Sequence, residues 1–244
     1  PSASSRTHLV FIHGAGVGPW MWRSQRAFFD ERFRVHTPTL PGHNPLTNDN
    51  YTTHARAAQS IAEQVDLPRL EGNIVVIGFS VGGQVAIEFA QMFPDRVTAV
   101  AVVSSLVRPW RSAALYVWLA GLAAPLAKRR EFSRLQASQL GLPDDDVDAY
   151  IELSTSLSPA TIRSIMRTNF AFTPPARFTQ SPRPVLLIAG STEQRTLITN
   201  LQALGASLPT ARVHVIDGAG HNAPFVFAAD FNRFVDDWLT TSAL

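Results

Sequence analysis

The 244-residue chain is 45% hydrophobic and 16% charged, which suits one globular domain large enough to carry an insertion. Its 21 basic and 19 acidic side chains nearly balance and the basic ones are scattered, so neither a nucleic-acid surface nor an acidic-membrane surface is indicated. There is no cysteine, which excludes disulfides, thiolate metal sites and cysteine nucleophiles.

In chain order, His8 to Ile12 reads as a first strand, and His13-Gly14-Ala15-Gly16-Val17-Gly18-Pro19 follows it. Trp20 to Glu31 reads as a helix and Arg32 to Thr37 as a second strand, closed by the turn-rich Pro38 to His43. Thr52 to Val65 is helical, with Ala55, Ala58, Ile61, Ala62 and Val65 on one face. Ile74-Val75-Val76-Ile77, all β-branched, reads as a strand buried on both faces, and Gln84 to Ala90 beyond it as a helix. Val97 to Val103 is another apolar strand, after which the rhythm breaks until Pro175. It resumes with a strand over Pro184 to Ala189, a helix over Gln194 to Ser207, a strand over Ala211 to Ile216 and a helix over Pro224 to Thr240. Such alternation predicts an α/β protein with a mostly parallel six-stranded sheet flanked by helices.

Between the Ile74 strand and the following helix stands Gly78-Phe79-Ser80-Val81-Gly82-Gly83. The bare Gly-x-Ser-x-Gly pattern arises by chance in roughly one chain in twelve of this length, given glycine near ~7%. Flanked by an apolar strand and a helix, it has the context of a nucleophile elbow. Gly78 and Gly82 are expected to be small so that the sharp turn avoids a collision, and Gly83 so that the helix packs closely. Ser80 is then exposed at the tip, beside free N–H groups of the helix N-terminus.

A serine nucleophile needs a base, a group that orients the base, and N–H donors for the developing oxyanion. In an open parallel sheet these come from loops at the carboxyl ends of the strands. His221, in Gly218-Ala219-Gly220-His221 after the last strand, is the candidate base, against the alternative of a polar loop residue. Glu193 is the only carboxylate of Gly190-Ser191-Thr192-Glu193 and the candidate acid; its alternative is a helix first-turn acid. The other possible acid position, after Val103, carries only Ser104 and Ser105. The oxyanion donors are expected to be the N–H groups of Val81 and Ala15. His13 is expected to shape its loop, and His43 and His54 to be turn and helix-surface residues. A dinucleotide fingerprint over Gly14, Gly16 and Gly18 fails at Pro19, and Arg34-Val35-His36-Thr37 lacks the ribose-binding acid. No cofactor and no metal is therefore expected.

HGAG at 13–16, PGH at 41–43, GFSVGG at 78–83, LLIAGSTE at 186–193 and GAGH at 218–221 together resemble the α/β-hydrolase superfamily along nearly the whole chain. Only seven residues precede the first strand, so the strand hairpin common in that superfamily is not expected here. The short start, with HGAGxGxWxW at 13–22, resembles the branch of methylesterases, hydroxynitrile lyases and their bacterial relatives. The lyases carry Lys after the catalytic His; Asn222 stands here, which argues against cyanohydrin cleavage. Ser80 likewise argues against dehalogenase chemistry, which uses a carboxylate at the elbow.

The resemblance implies a hydrolase core over 1–103 and 176–244 with a helical cap inserted over 104–175. Helices are expected near 112–126, 144–156 and 159–170, with Asp144 as an N-cap and Ser158-Pro159 as an N-cap and first-turn pair. Trp20, Trp110, Tyr116, Trp118 and Phe170 are the expected pocket residues, which suggests a small apolar ester-like substrate. The implied function is a serine esterase working through an acyl-enzyme. Alternatives are the same triad cleaving a carbon–carbon or lactone bond, or a non-catalytic ligand-binding protein of this fold. The uncharged run Ala113 to Ala127 falls short of the about 20 residues a bilayer span needs, so no stable membrane insertion is expected. No signal peptide is visible, and a cytoplasmic protein is expected.

Overall fold

Strands that read as unbroken apolar runs have to be covered on both faces, and they are. The computed structural model describes residues 7–47, 49–110, 129–242 and 244. Strands β1 (His8–Ile12), β2 (Arg34–His36), β3 (Ile74–Phe79), β4 (Ala99–Val103), β5 (Val185–Gly190) and β6 (Ala211–Ile216) form one parallel sheet in the order β2-β1-β3-β4-β5-β6. The twofold alternation of side chains along a strand divides the apolar residues between two cores. Val10, Ile12, Val76, Val100, Val102 and Leu187 face one, packed under helices α2 (His54–Gln64) and α3 (Val81–Met92). Leu9, Phe11, Val75, Ile77, Ala101 and Ile188 face the other, with Phe29 of α1 (Arg23–Phe29).

The segment between β4 and β5 is where the described helices α4 (Arg130–Gln139), α5 (Asp144–Ser156), α6 (Pro159–Ala171) and the short α7 (Ala176–Thr179) lie. The chain then continues through β5, α8 (Arg195–Ser207), β6, the short α9 (Ala223–Val226) and α10 (Ala228–Thr241). Phe231, Val235 and Trp238 of α10 complete the second core. The helices between β4 and β5 are tied to the loop after β4, to α3 and to α1 by polar contacts. Trp110 N–H donates to Phe170 O at 2.9 Å, and Gln84 Nε2 donates to Leu106 O at 2.8 Å and Asn169 O at 3.1 Å. Arg23 meets the nearly buried Asp146 of α5 at 2.9 Å.

Several local expectations change. The helix expected over 20–31 is a 3-10 turn over Pro19–Trp22 followed by α1, and the one expected over 224–240 breaks at Phe227. Helix α4 has only Ser133 and Ala137 buried, so no large apolar stripe announced it. Asp144 is the first helical residue rather than the cap; Pro143 holds the cap position without a side-chain bond. Asp144, Asp145 and Asp146 instead fill the first turn, where the helix dipole favours acids. Ser158 does cap α6, accepting from Thr161 N–H at 3.0 Å. The helix expected over 112–126 lies outside the described residues. Among the described residues no helix is long and apolar enough to cross a membrane.

Strand register sets the site. Ile12 pairs with Gly78, Phe79 with Val103, Val103 with Ile188 and Gly190 with Ile216, so five strands end along one edge. Because β2 lies on the far side of β1, strand order reverses between β1 and β3, and a crevice opens at such a switch point.

Candidate active site

At that switch point Ser80 leaves β3 with φ 55° and ψ −122°, in a region that L side chains rarely adopt. Two backbone bonds hold it there: Ser80 N–H to Val103 O at 2.8 Å, and Gly83 N–H to Ser80 O at 3.0 Å. A Cβ on Gly78 would stand 2.1 Å from Gly82 O, the collision expected of a sharp elbow. The need at Gly82 has a different origin, since a Cβ there would stand 2.4 Å from Ile12 O and His13 O, at the end of β1. A Cβ on Gly83 would stand 2.0 Å from Ser105 Oγ, so the helix does pack closely there.

His221 is brought to Ser80 by the loop after β6. Its Nε2 lies 3.3 Å from Ser80 Oγ and its Nδ1 lies 2.7 Å from Glu193 Oε1. Phe79 packs against the imidazole, ring centroids 5.0 Å apart. The loop is tied to the turn after β5, for Thr192 N–H and Thr192 Oγ1 both donate to Ala219 O at 2.9 Å. Gln25, fully buried on α1, donates to Pro224 O and Asn232 Oδ1, each at 3.0 Å, and so holds the chain just beyond. Asn222 donates to Leu140 O at 2.9 Å, docking the end of α4.

The Glu193 side chain is only 2% exposed. Its Oε2 accepts from Gly190 N–H at 3.0 Å and from the Ser104 hydroxyl at 3.1 Å, leaving Oε1 for His221. Asp217, the nearest rival by sequence, is engaged elsewhere: Ser191 Oγ donates to it at 3.2 Å and accepts from Gly218 N–H at 2.8 Å.

The loop after β1 passes directly beside Ser80, since a Cβ on Gly14 would stand 3.3 Å from Ser80 Cβ. Two buried histidines shape it. His13 Nδ1–H donates to Gly14 O at 2.8 Å while Nε2 accepts from Leu40 N–H at 3.0 Å. His43 Nδ1–H donates to Pro41 O at 3.1 Å while Nε2 accepts from Gly16 N–H at 3.2 Å. Ala15 N–H carries no hydrogen bond among the described residues, and Val81, as the first residue of α3, has no intrahelical acceptor for its N–H. His43 does close a turn, its N–H donating to Leu40 O at 3.0 Å, and is in addition a buried strut of the loop. His54, expected on the helix surface, is buried beneath Phe172 with Nδ1 bonded to the Tyr51 hydroxyl.

Burial lowers the pKa of His13 to about 3 and that of His43 to about 4, from 6.5. A histidine depressed on folding binds its proton more readily in the unfolded chain. Its contribution is fully present above pH 6.5 and is lost as pH falls from there towards about 4 and about 3. Each such histidine adds up to ~1.4 kcal/mol per pH unit within its window. We expect Tm to fall on acidification from pH 7 to 4 and His43→Asn to flatten that slope; a Tm constant over this range would contradict it.

A cavity of about 380 Å³ opens on Ser80 and His221, with Ser104, Leu106, Trp110, Asn169, Thr192, Glu193, Gln194 and Leu197 in its wall. Of the expected aromatic pocket residues, Trp110 lines it and Phe170 packs edge-on against Trp110 with centroids 5.3 Å apart. Trp20 instead lines a separate cavity of about 300 Å³ between His43 and α5. Tyr116 and Trp118 lie outside the described residues. Nothing in the sequence marks Phe79 or Gln25 as supports of the site, and Asn222 stands out there only as the residue after His221. For Ser104 the signal is its place after β4, where an acid could stand.

A parallel sheet with a serine elbow at its switch point, and helices inserted after the strand beside that elbow, defines the class. The chain is a hydrolytic enzyme belonging to the alpha/beta hydrolase family, whose pattern matches residues 9–234. It is 28% identical over 242 aligned positions to the pimeloyl-[acyl-carrier protein] methyl ester esterase of Aromatoleum aromaticum, covering 91% of this chain and 93% of that one. In fold it is similar to MenH from S. aureus, with a TM-score of 0.81 at 18% identity, covering 100% of this chain and 97% of the other. It is also similar to a thermophilic esterase from Thermogutta terrifontis, with a TM-score of 0.77 at 20% identity and coverage of 98% and 91%.

Proposed function

We propose that the chain is a serine esterase that hydrolyses a carboxylic ester through an acyl-enzyme. The observation that carries this reading is the continuous contact from Ser80 Oγ to His221 Nε2 at 3.3 Å and from His221 Nδ1 to Glu193 Oε1 at 2.7 Å. Ser80 Oγ attacks the ester carbonyl as His221 Nε2 takes its proton. The tetrahedral oxyanion receives the N–H groups of Val81 and Ala15, and the proton passes to the departing alcohol. Water, deprotonated by His221, then attacks the acyl-Ser80 ester, and the same proton returns to Oγ as the acid leaves. Glu193 keeps the Nδ1 proton in place throughout and supports the imidazolium. Residues 104–175 serve as a cap over a core of 1–103 and 176–244.

Similarity to a methyl ester esterase supports an ester as substrate. That relative's named substrate is neither small nor apolar, and the cavity wall sets Leu106, Trp110 and Leu197 beside Asn169, Thr192 and Gln194. The small apolar ester expected from the aromatic residues therefore gives way to an ester whose acyl part carries both apolar and polar groups. Hydrolysis of p-nitrophenyl esters of increasing acyl length, each with and without a terminal polar group, tests this. Turnover that is higher for the polar-ended member of a pair is expected; no hydrolysis of any ester would overturn the reading.

A further inference from the structure

Glu193 differs from a surface carboxylate in that both oxygens are engaged on a side chain almost closed to solvent. Three donors converge on it, and only the Ser104 hydroxyl comes from neither its own turn nor the histidine. Ser104 itself is unusual. It is 1% exposed, follows β4 directly and sits at φ 50°, where a residue with a Cβ is strained. Its N–H donates to Ile188 O at 2.8 Å, which continues the β4–β5 ladder one step past Val103 and fixes the side chain's direction. Glycine would take this backbone without strain but would supply no hydroxyl.

We propose that Ser104 is a positioning residue for the triad acid: with Gly190 N–H it fixes Glu193 Oε2, so that Oε1 is aimed at His221 Nδ1. The inference rests on the triad reading above and extends it. A glutamate has one more rotatable bond than an aspartate, so one oxygen held by His221 alone leaves the carboxylate free to turn about that contact. Two donors on the other oxygen remove that freedom. The acid thus reaches across from the β5 turn to the end of β4, the second position at which an acid could have stood.

Because Ser104 also lines the cavity on Ser80, its test needs readouts that a wall residue would not move. Ser104→Ala is expected to lower kcat about tenfold with KM within about twofold. Because the carboxylate facing the imidazole loses one of its donors, the acid limb of kcat/KM should also move. The downfield proton resonance of His221 Nδ1–H should shift or broaden in the same variant. Ser104→Gly removes the hydroxyl while relieving the backbone, so it should reproduce the kinetic loss with Tm unchanged or raised. Glu193→Gln serves as the control. Near wild-type turnover in Glu193→Gln would mean that the triad reading itself fails. A large loss in that control, with both Ser104 variants keeping kcat and the pH limb, or changing KM alone, would overturn the role of Ser104 and leave the triad standing.

Discussion

Ser80→Ala is expected to give a folded protein whose ester turnover is lower by about 10⁶ in kcat, the usual scale for loss of a triad nucleophile. The substitution removes one atom, the oxygen that faces His221 Nε2 at 3.3 Å. The bonds that hold the elbow are made by the backbone, Ser80 N–H to Val103 O and Gly83 N–H to Ser80 O, and alanine keeps both. Alanine also keeps a Cβ at φ 55°, so strain at the turn is unchanged and Tm should move little. Steady-state kinetics with thermal melting checks both halves; residual kcat above a few thousandths of wild type would contradict the nucleophile assignment.

Glu193→Gln is expected to cost about 10²–10⁴ in kcat, and the geometry gives the reason. Gly190 N–H and Ser104 O–H both point at the Oε2 position, at 3.0 Å and 3.1 Å, so that position has to remain an acceptor. A glutamine therefore turns its carbonyl oxygen there and presents its NH₂ to His221 Nδ1. The imidazole must then accept at Nδ1 and carry its proton on Nε2, which is the tautomer unable to take the proton from Ser80. The defect lies in orientation and charge rather than in packing, so KM should change far less than kcat. A variant with more than about a tenth of wild-type kcat would show that Glu193 does not orient the base.

The fold was legible because both-face burial leaves a direct trace in sequence. Runs such as Ile74-Val75-Val76-Ile77 and Val185-Leu186-Leu187-Ile188 cannot stand at a solvent face, and the helices between them set a parallel sheet. The elbow was legible from the glycines its tight turn requires, and the candidate set Ser80, Glu193 and His221 from the strand ends that carry them. What escaped depends on distant contacts. His54 begins a helix and reads as exposed, but Phe172, contributed from the insertion, closes over it. His43 stands in a Pro-Gly turn, and only the folded loop brings it against Gly16 N–H. In sequence, Ser104 registers only as the absence of an acid. Its hydroxyl finds Glu193 across 89 residues of chain through the β4–β5 register and a positive φ, neither of which a single sequence displays.

The central claim, a serine activated by His221, is tested most directly by covalent trapping. Incubating the protein with a fluorophosphonate and mapping the adduct by peptide mass spectrometry should give one modified peptide, labelled on Ser80, and His221→Ala should abolish labelling because the hydroxyl is no longer deprotonated on attack. An unlabelled wild-type protein, or an adduct on any other residue, would contradict the account.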